Sequence, residues 1–543
     1  MWQQNYTPLG SLWLSTLVAA LPIFTLLYLL GIKRKAAWIA GLSGLATAAA
    51  VAVAGYGMPV GTMLASVTYG AAFGLFPIGW IVFWAIVLYR ITLDTGKFEI
   101  VKDSIGSLTE DRRLQALLIA FAFGAFIEGC AGFGTPVAVA AAMLTGLGFA
   151  PFYAAGICLL ANTAPVAFGS IGIPITTLAG ITGLPAMSLS AGVGRICAPI
   201  SLIVPTYLIL VMGGWRGLRG VLPATLVCGG AFAGAQFLVS NYIGPELTDI
   251  LSSLAAIGAL IVLFRVWKPR DKFVLEGASP LSGVRARHSA KDILLAWSPY
   301  GFLVLFVLFW GHGPIKAMLN SVTATIAWPG LHEQVLRVEP VVTSPAAYPA
   351  IFRLDWLAAA GTACAFASIC ASVVLGVSFG MYRKIIVSTF RQLSLSLLTI
   401  ASVLGLAFLM NYSGATATLG LAFAATGMLF PFFSAMLGWL GVFLTGSDTS
   451  ANALFGNLQV LTATRLDLNP VLMAASNSSG GVMGKMISLQ SIAVAAAATG
   501  MATSEESKLF RFTLRHSIIL ASAIGMIVVL YAYVFPSWAP TVP

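Results

Sequence analysis

The chain has 543 residues, length enough for three or four soluble domains, but charged residues make up only 9 % of it, where a soluble domain carries roughly 25 %. Hydrophobic residues reach 59 % and mean hydropathy is +0.93, so most of the surface must face lipid; disorder, a collagen-like fibre and a disulfide scaffold are excluded by the same figures. The net charge of +11 would point to an anionic partner such as nucleic acid in a soluble protein, but in a membrane protein it reflects basic residues that orient the spans.

A span needs about 20 apolar residues. Runs of that kind predict helices near 10–31, 36–55, 75–92, 153–183, 192–212, 221–240, 250–265, 292–310, 355–378, 392–410, 470–500 and 517–536. Two further apolar stretches, 115–149 and 432–463, have polar, glycine-rich centres and short arms, and are predicted to be re-entrant hairpins. The fold class is therefore an all-α polytopic membrane protein of about twelve transmembrane helices plus two hairpins. Met1 to Pro8 lacks a basic leader region and Lys33-Arg34-Lys35 follow the first apolar run, the pattern of a signal-anchor with its N-terminus outside. With that orientation, 23 of the 29 basic residues fall in inner loops, including the sets Arg90–Arg113 and Arg265–Lys291. Both termini are then periplasmic.

The same grammar appears twice. Glu128-Gly-Cys-Ala-Gly-Phe-Gly-Thr-Pro136 is followed by Asn162-Thr-Ala-Pro-Val-Ala-Phe-Gly169; later, Thr445-Gly-Ser-Asp-Thr-Ser-Ala-Asn452 is followed by Asn477-Ser-Ser-Gly-Gly-Val-Met-Gly484. Both second members read Asn-[Ser/Thr]-x5-Gly. The predicted topology gives the halves opposite orientation, with a first repeat over 36–212, connecting helices and loops over 213–354, and a second repeat over 355–536. Paired helix interruptions in inverted halves mark a transporter's central site, where broken helix ends offer N–H groups and positive dipole ends to an anion.

Four ionisable residues are read within apolar segments: Glu128, Arg195, Asp448 and Lys485. Each costs roughly 2.5–3.5 kcal/mol at the membrane centre. Lys485 is the candidate cation for an anionic substrate, or the partner of Asp448 or Glu128 in a structural pair. Asp448 and Glu128 are candidate proton carriers, or caps for local backbone N–H groups; a carboxyl removed from water favours its neutral form. Arg195, near the outer end of its span, is an accessory charge, a snorkelling residue or a helix-end tie. Asn162, Thr163, Ser447, Thr449, Ser450, Asn452, Asn477, Ser478 and Ser479 supply donors for a carboxylate and a hydroxyl, or satisfy the broken backbone.

Other chemistries fail on context. Gly41-Leu-Ser-Gly44 fits an intramembrane serine protease motif, but no histidine lies in a span interior; His332-Glu333 lacks a second histidine; and Gly480 to Lys485 departs from a phosphate-binding loop at Ser479 and Met486. The six cysteines have no metal or redox spacing. No enzyme, cofactor or metal centre is indicated, and the residues alone support a secondary transporter of a small anion or polar solute.

Over nearly its whole length the sequence resembles the bacterial L-lactate permease family. The resemblance rests on Trp2-Gln-Gln-Asn-Tyr6, Glu128-Gly-Cys-Ala-Gly-Phe-Gly134, Tyr153-Ala-Ala-Gly156, Asn162 to Gly169 with Gly172-Ile-Pro174, Asn411-Tyr-Ser-Gly414, Gly438 to Ser450 and Gly484-Lys-Met-Ile-Ser488. It departs at Leu489, where the family pattern carries proline. The resemblance implies proton-coupled uptake of L-lactate, glycolate and related 2-hydroxymonocarboxylates across the inner membrane. It also implies an ion-transporter-type fold of the kind that moves as an elevator, and places Tyr412 with the substrate-binding residues. A carrier of another small carboxylate, or a sodium-coupled one, is the alternative.

Overall fold

In the computed structural model, residues 1–33, 35–132, 134–271, 273, 288–342, 344–501 and 505–540 are described. Arg34, Phe133 of the first interruption, and Lys272, Arg285 and Arg287 of the inner loop lie outside the described residues. The chain is 79 % helical. After a short strand β1 (Trp2–Gln3), helices α1 (Leu12–Leu27) and α2 (Ala37–Ala50) each continue through a π turn, to Ile32 and Gly55. Helices α3 (Val60–Phe73) and α4 (Trp80–Asp94) make one bent stretch, and α5 (Lys97–Gly106) leads to α6 (Arg112–Cys130) and α7 (Thr135–Gly146). Helices α8 (Pro151–Ala161) and α9 (Val166–Thr182) meet at a 63° bend. Helix then runs from Ala186 to Tyr242, 57 residues, or about 85 Å if straight. No single span is that long, and non-helical backbone at Gly214 and Val221 divides it into α10 (186–213) and α11 (222–242).

The connecting region holds α12 (Thr248–Val266), α13 (Ala290–Gly311), α14 (Gly313–Asn320) and strands β2 (Ala324–Ala327), β3 (Val335–Arg337), β4 (Ala346–Ala347) and β5 (Ile351–Leu354). The second half holds α15 (Ala360–Val374), α16 (Phe379–Ser413), α17 (Ala415–Phe423), α18 (Phe430–Thr445), α19 (Asp448–Arg465), α20 (Pro470–Lys485), α21 (Leu489–Thr499) and α22 (Glu506–Tyr533). Its element order repeats that of the first half. The α3–α4 stretch and α16 are each 35 residues long and begin 319 positions apart (Val60 and Phe379). Helices α8 and α20 also begin 319 positions apart (Pro151 and Pro470), and α10 and α22 begin 320 apart (Ala186 and Glu506).

Among the described residues, eleven helical stretches are long and apolar enough to cross a membrane, or twelve if α8 and α9 count as one span. Several expectations are corrected. The fold is mostly rather than wholly helical, because two small sheets form outside the spans, in the orders β1-β3-β4 and β2-β5. The span expected at 75–92 begins at Val60; Thr, Ser and Gly between Val60 and Phe73 dilute its hydropathy without breaking the helix. The helix expected at 355–378 is the 15-residue α15, preceded by β5, and the one expected at 392–410 is the 35-residue α16. The first arm of the 115–149 stretch is not short: α6 has 19 residues, about 28 Å, and is buried along its whole length.

Loop contacts sort into two groups. On one face β1 pairs in parallel with β3, Trp2 opposite Val335, and Gln4 Nε2 donates to the Asn411 and Tyr412 carbonyls at the end of α16. On the other, the Arg113 guanidinium pairs with Asp111 and Asp271, both at 2.7 Å, and donates to the Gly217 carbonyl, while His288 meets Asp103. Arg90 near the end of α4 donates to Ser388 near the start of α16. A 35-residue helix is about 52 Å long, so the two ends of α16 reach opposite faces.

The closest helix crossing is between α18 and α20. A Cβ on Gly438 would lie 1.9 Å from the Asn477 carbonyl oxygen, and one on Gly480 would lie 2.0 Å from that of Ala435. Small residues let membrane helices touch backbone to backbone. Gly480→Val is therefore expected to destabilise the fold by about 3 kcal/mol or more, read as lost monodisperse yield and a lowered melting temperature in detergent. Gly234→Ala, with nothing within 4 Å of the new carbon, should be neutral or mildly stabilising. Equal effects from the two variants would contradict the close crossing.

Candidate functional site

Each half contains two breaks, and each break has a local cause. Between α6 and α7 lie glycines at positive φ, and Pro136 falls in the first turn of α7, where its missing N–H costs nothing. After α8 the chain turns through Asn162–Pro165, and within α9 Ser170, Ile171 and Gly172 are left-handed (φ 48, 60 and 72). For the two non-glycine residues that geometry costs roughly 1–2 kcal/mol each. Ser170 Oγ donates to the Ala131 carbonyl at 3.1 Å, which ties this break to the turn between α6 and α7. In the second half Gly446 ends α18, and Ser447 caps α19 by accepting from Ser450 N–H. Helix α20 stops at Lys485, and Ser488 caps α21. Leu489 is thus the first residue of α21, a position where proline also fits, so the break does not depend on it.

The breaks carry a continuous polar network. Asp448 sits in the first turn of α19, where a negative charge suits the helix dipole. Its Oδ2 accepts from Ser478 Oγ at 2.5 Å and from Asn452 Nδ2 at 3.4 Å. Asn452 Nδ2 also reaches the Pro174 carbonyl of α9 at 3.2 Å, joining the two halves. Asn477 Nδ2 donates to Asn452 Oδ1 at 2.9 Å, and Gln459 Nε2 donates to Asn477 Oδ1 at 3.0 Å. Ser434 and Ser476 close the chain beyond Gln459.

Lys485 is buried at the C-terminal end of α20, where a cation is favoured, and its Nζ donates to the Gly446 carbonyl at 2.6 Å. It lies within Coulombic reach of both Glu128 and Asp448. The two carboxylates are seated alike, each against a glycine of its half's broken helix. A Cβ on Gly169 would lie 2.6 Å from Glu128 Oε1, and one on Gly481 would lie 2.3 Å from Asp448 Oδ1.

Orphaned polar atoms gather here. Glu128 Oε2, Asp448 Oδ1, Ser479 Oγ and both amide atoms of Asn162 are buried without a hydrogen bond of ordinary geometry, although Asn162 lies beside Glu128 and Cys197 beside Ser479. Buried polar atoms are rarely left unpaired, and such atoms converging on one place suit a polar ligand. A cavity of about 1430 Å³ reaches Thr445, Gly446 and Gln490 from the face that carries Lys35 and Glu506.

The remaining expected residues are placed differently. Thr163, in the turn after α8, donates its Oγ1 hydrogen to the Leu160 carbonyl, and Thr449 is half-buried in the first turn of α19. Arg195 is engaged away from the cluster, donating to Asn241 Oδ1 and to the Trp538 carbonyl, both at 2.8 Å. Tyr412 donates to the Pro349 carbonyl at 2.6 Å and its ring packs on Tyr348, at the end of α16. Two participants were missed. Gln459 was signalled by the spacing Asp448, Asn452, Gln459, a polar stripe at i, i+4 and i+11. Asp249, buried and next to α6, is a further ionisable residue in the first turn of a span; the span expected to begin at 250 left it in a loop.

Comparison with known proteins follows the same outline. A family model described as L-lactate permease matches residues 15–535. The Escherichia coli glycolate permease GlcA is 46 % identical, with 98 % of each chain covered. The Bacillus subtilis L-lactate permease is 47 % identical over 99 % of each chain, and the Salmonella typhimurium L-lactate permease 46 % identical over 99 % of this chain and 100 % of its own. A match of that extent and identity makes this chain a multi-pass membrane transporter and a member of the L-lactate permease family.

Proposed function

We propose that this protein imports L-lactate and related 2-hydroxymonocarboxylates such as glycolate by symport with protons, across the bacterial inner membrane and with both termini periplasmic. The observation that carries the reading is one buried cation, Lys485, within reach of two buried carboxylates where the broken helices of both halves meet. Lys485, Asn162, Ser478, Ser479 and Asn477 form the substrate site, with Thr163, Ser447, Thr449 and Tyr412 at its margins, and Asp448 or Glu128 carries the proton. The coupling has a physical motive. Bringing one negative charge in against an inside-negative potential costs about 2.3 kcal/mol per 100 mV, and a co-transported proton cancels that charge.

In this reading 115–149 and 432–463 are re-entrant hairpins, built on α6–α7 and α18–α19. Arg112, at the start of α6, donates to the Leu147 carbonyl just past the end of α7, a contact that supports a hairpin with both ends at one face. Residues 36–212 and 355–536 are then inverted repeats joined by 213–354, and the hairpins and broken helices move together as an elevator, with the cavity at Gly446 as the inner vestibule. The test is uptake of labelled lactate, glycolate and a panel of other carboxylates in proteoliposomes, with the pH and sodium gradients imposed separately. Accumulation driven by the pH gradient alone is expected. Accumulation that follows sodium and ignores pH would replace this reading with a sodium-coupled carrier.

A further inference from the structure

Asp249 opens the first turn of α12 and is 1 % exposed, and both of its carboxylate oxygens are buried with no hydrogen-bond partner. It packs directly on α6: a Cβ on Gly129 would lie 2.9 Å from the Asp249 Cβ, and the neighbouring Glu128 is within Coulombic reach. The titratable groups facing it are Glu128 and Cys130 from α6 and Cys197 from α10, none of them a cation. Helix α9 carries no titratable residue. A buried carboxylate without a donor is too costly to stay ionised, and two adjacent carboxyls resist ionising together. Glu128 and Asp249 are thus a pair of buried carboxyls, and Asp249 has no hydrogen-bond donor.

Three residues earlier, Glu246 lies half-buried in the turn between α11 and α12. Lys316 of α14 and Cys364 of α15 lie within Coulombic reach of it, as Cys364 does of Cys130 and Cys130 of Asp249. Desolvation holds the Glu246 carboxyl above the ordinary range, with Lys316 opposing. Rows of acidic residues in membrane proteins mark proton paths. This row runs to Lys485 from the face of α14, whereas the cavity at Gly446 opens to the face of Lys35.

We propose that Asp249 is a proton-binding residue of the transport cycle, taking protons from the rim at Glu246 and passing them to Glu128 beside Lys485. The proton leaves the Glu246 carboxyl, occupies one Asp249 oxygen, and moves to Glu128 Oε2, so that only one member of the buried pair is ionised at a time. This rests on the proton-coupled reading above.

The test compares wild-type, Asp249→Asn, Asp249→Glu and Glu246→Gln in proteoliposomes, measuring pH-driven lactate accumulation, lactate–lactate exchange and the dependence of the initial rate on outside pH. Asp249→Asn is expected to lose at least tenfold in accumulation and less than threefold in exchange, and Asp249→Glu to recover accumulation. Glu246→Gln should slow the initial rate and shift its pH profile without lowering the final accumulation. Wild-type accumulation with an unchanged pH profile in Asp249→Asn overturns the proposal. If that variant also loses exchange, Asp249→Glu decides, and exchange without accumulation in Asp249→Glu overturns it too. Coupled wild-type uptake with an indifferent Asp249 leaves the symport reading standing, whereas uncoupled wild-type uptake removes both.

Discussion

Lys485→Met is expected to lower lactate uptake at least a hundredfold and to abolish measurable lactate binding. The methionine matches the lysine stem in length, so what is lost is the charge and the hydrogen bond to Gly446. With no cation nearby, Glu128 and Asp448 are left without their common partner, and an anionic substrate would have to enter beside them. Removing one partner of a buried charged group costs roughly 3–5 kcal/mol, which exceeds two powers of ten in an equilibrium. Part of that loss falls on the fold, because Lys485 ties the turn after α18 to the end of α20. The two contributions separate in measurement: a lowered melting temperature in detergent reports the tie, and isothermal titration with lactate reports the site. Lys485→Arg keeps the charge but presents a wider planar fork to a place shaped for one Nζ, and should recover only part of the uptake. Wild-type uptake in Lys485→Met would remove this residue from the substrate site.

Asp448→Asn is expected to separate transport from coupling, with pH-driven accumulation falling at least tenfold while lactate–lactate exchange persists. The geometry explains why such a variant should still fold. The Ser478 and Asn452 bonds both go to Oδ2, and Oδ1 has no partner, so an asparagine can keep its oxygen on the network and turn its amide nitrogen toward the orphaned side. What disappears is the ability to take up and release a proton. Exchange and accumulation lost together would instead assign Asp448 a structural role. Full accumulation in both Asp448→Asn and Glu128→Gln would exclude these two as the coupling carboxylates.

Much of the fold was legible because the membrane imposes a one-dimensional rule. A helix of about 20 apolar residues satisfies its own backbone. Where Gly and Pro interrupt such a run, as at Glu128–Pro136, the break is visible without tertiary information; at Asn477–Gly484 the polar, glycine-rich run stays helical and the chain breaks only after Lys485. What failed to show has equally physical reasons. The helix Val60–Phe73 hid because its Thr, Ser and Gly lowered the local hydropathy, although Ser66 is buried and Gly70 packs on α16. Asp249 hid because Pro245-Glu-Leu-Thr-Asp249 reads as an acidic helix start at a water-facing turn. Gln459 hid because α19 as a whole has the polarity of a surface helix, while its polar stripe is turned inward on α20.

The sequence by itself determined that this is a polytopic membrane protein with two matching sets of interruptions, because a charge balance of 9 % and a mean hydropathy of +0.93 permit no other solvent. It also singled out the buried residues that lipid cannot tolerate unpaired. Only the tertiary structure brought Glu128 and Asp448 within Coulombic reach of Lys485 and added Asp249 beside Glu128, while Arg195 donates to Asn241 and the Trp538 carbonyl. The reason lies in the range of the two rules. Hydropathy and helix breaking act within a single run of chain, but the surroundings of a buried charge are chosen by the packing of helices more than 350 positions apart, as where Lys485 comes within Coulombic reach of Glu128.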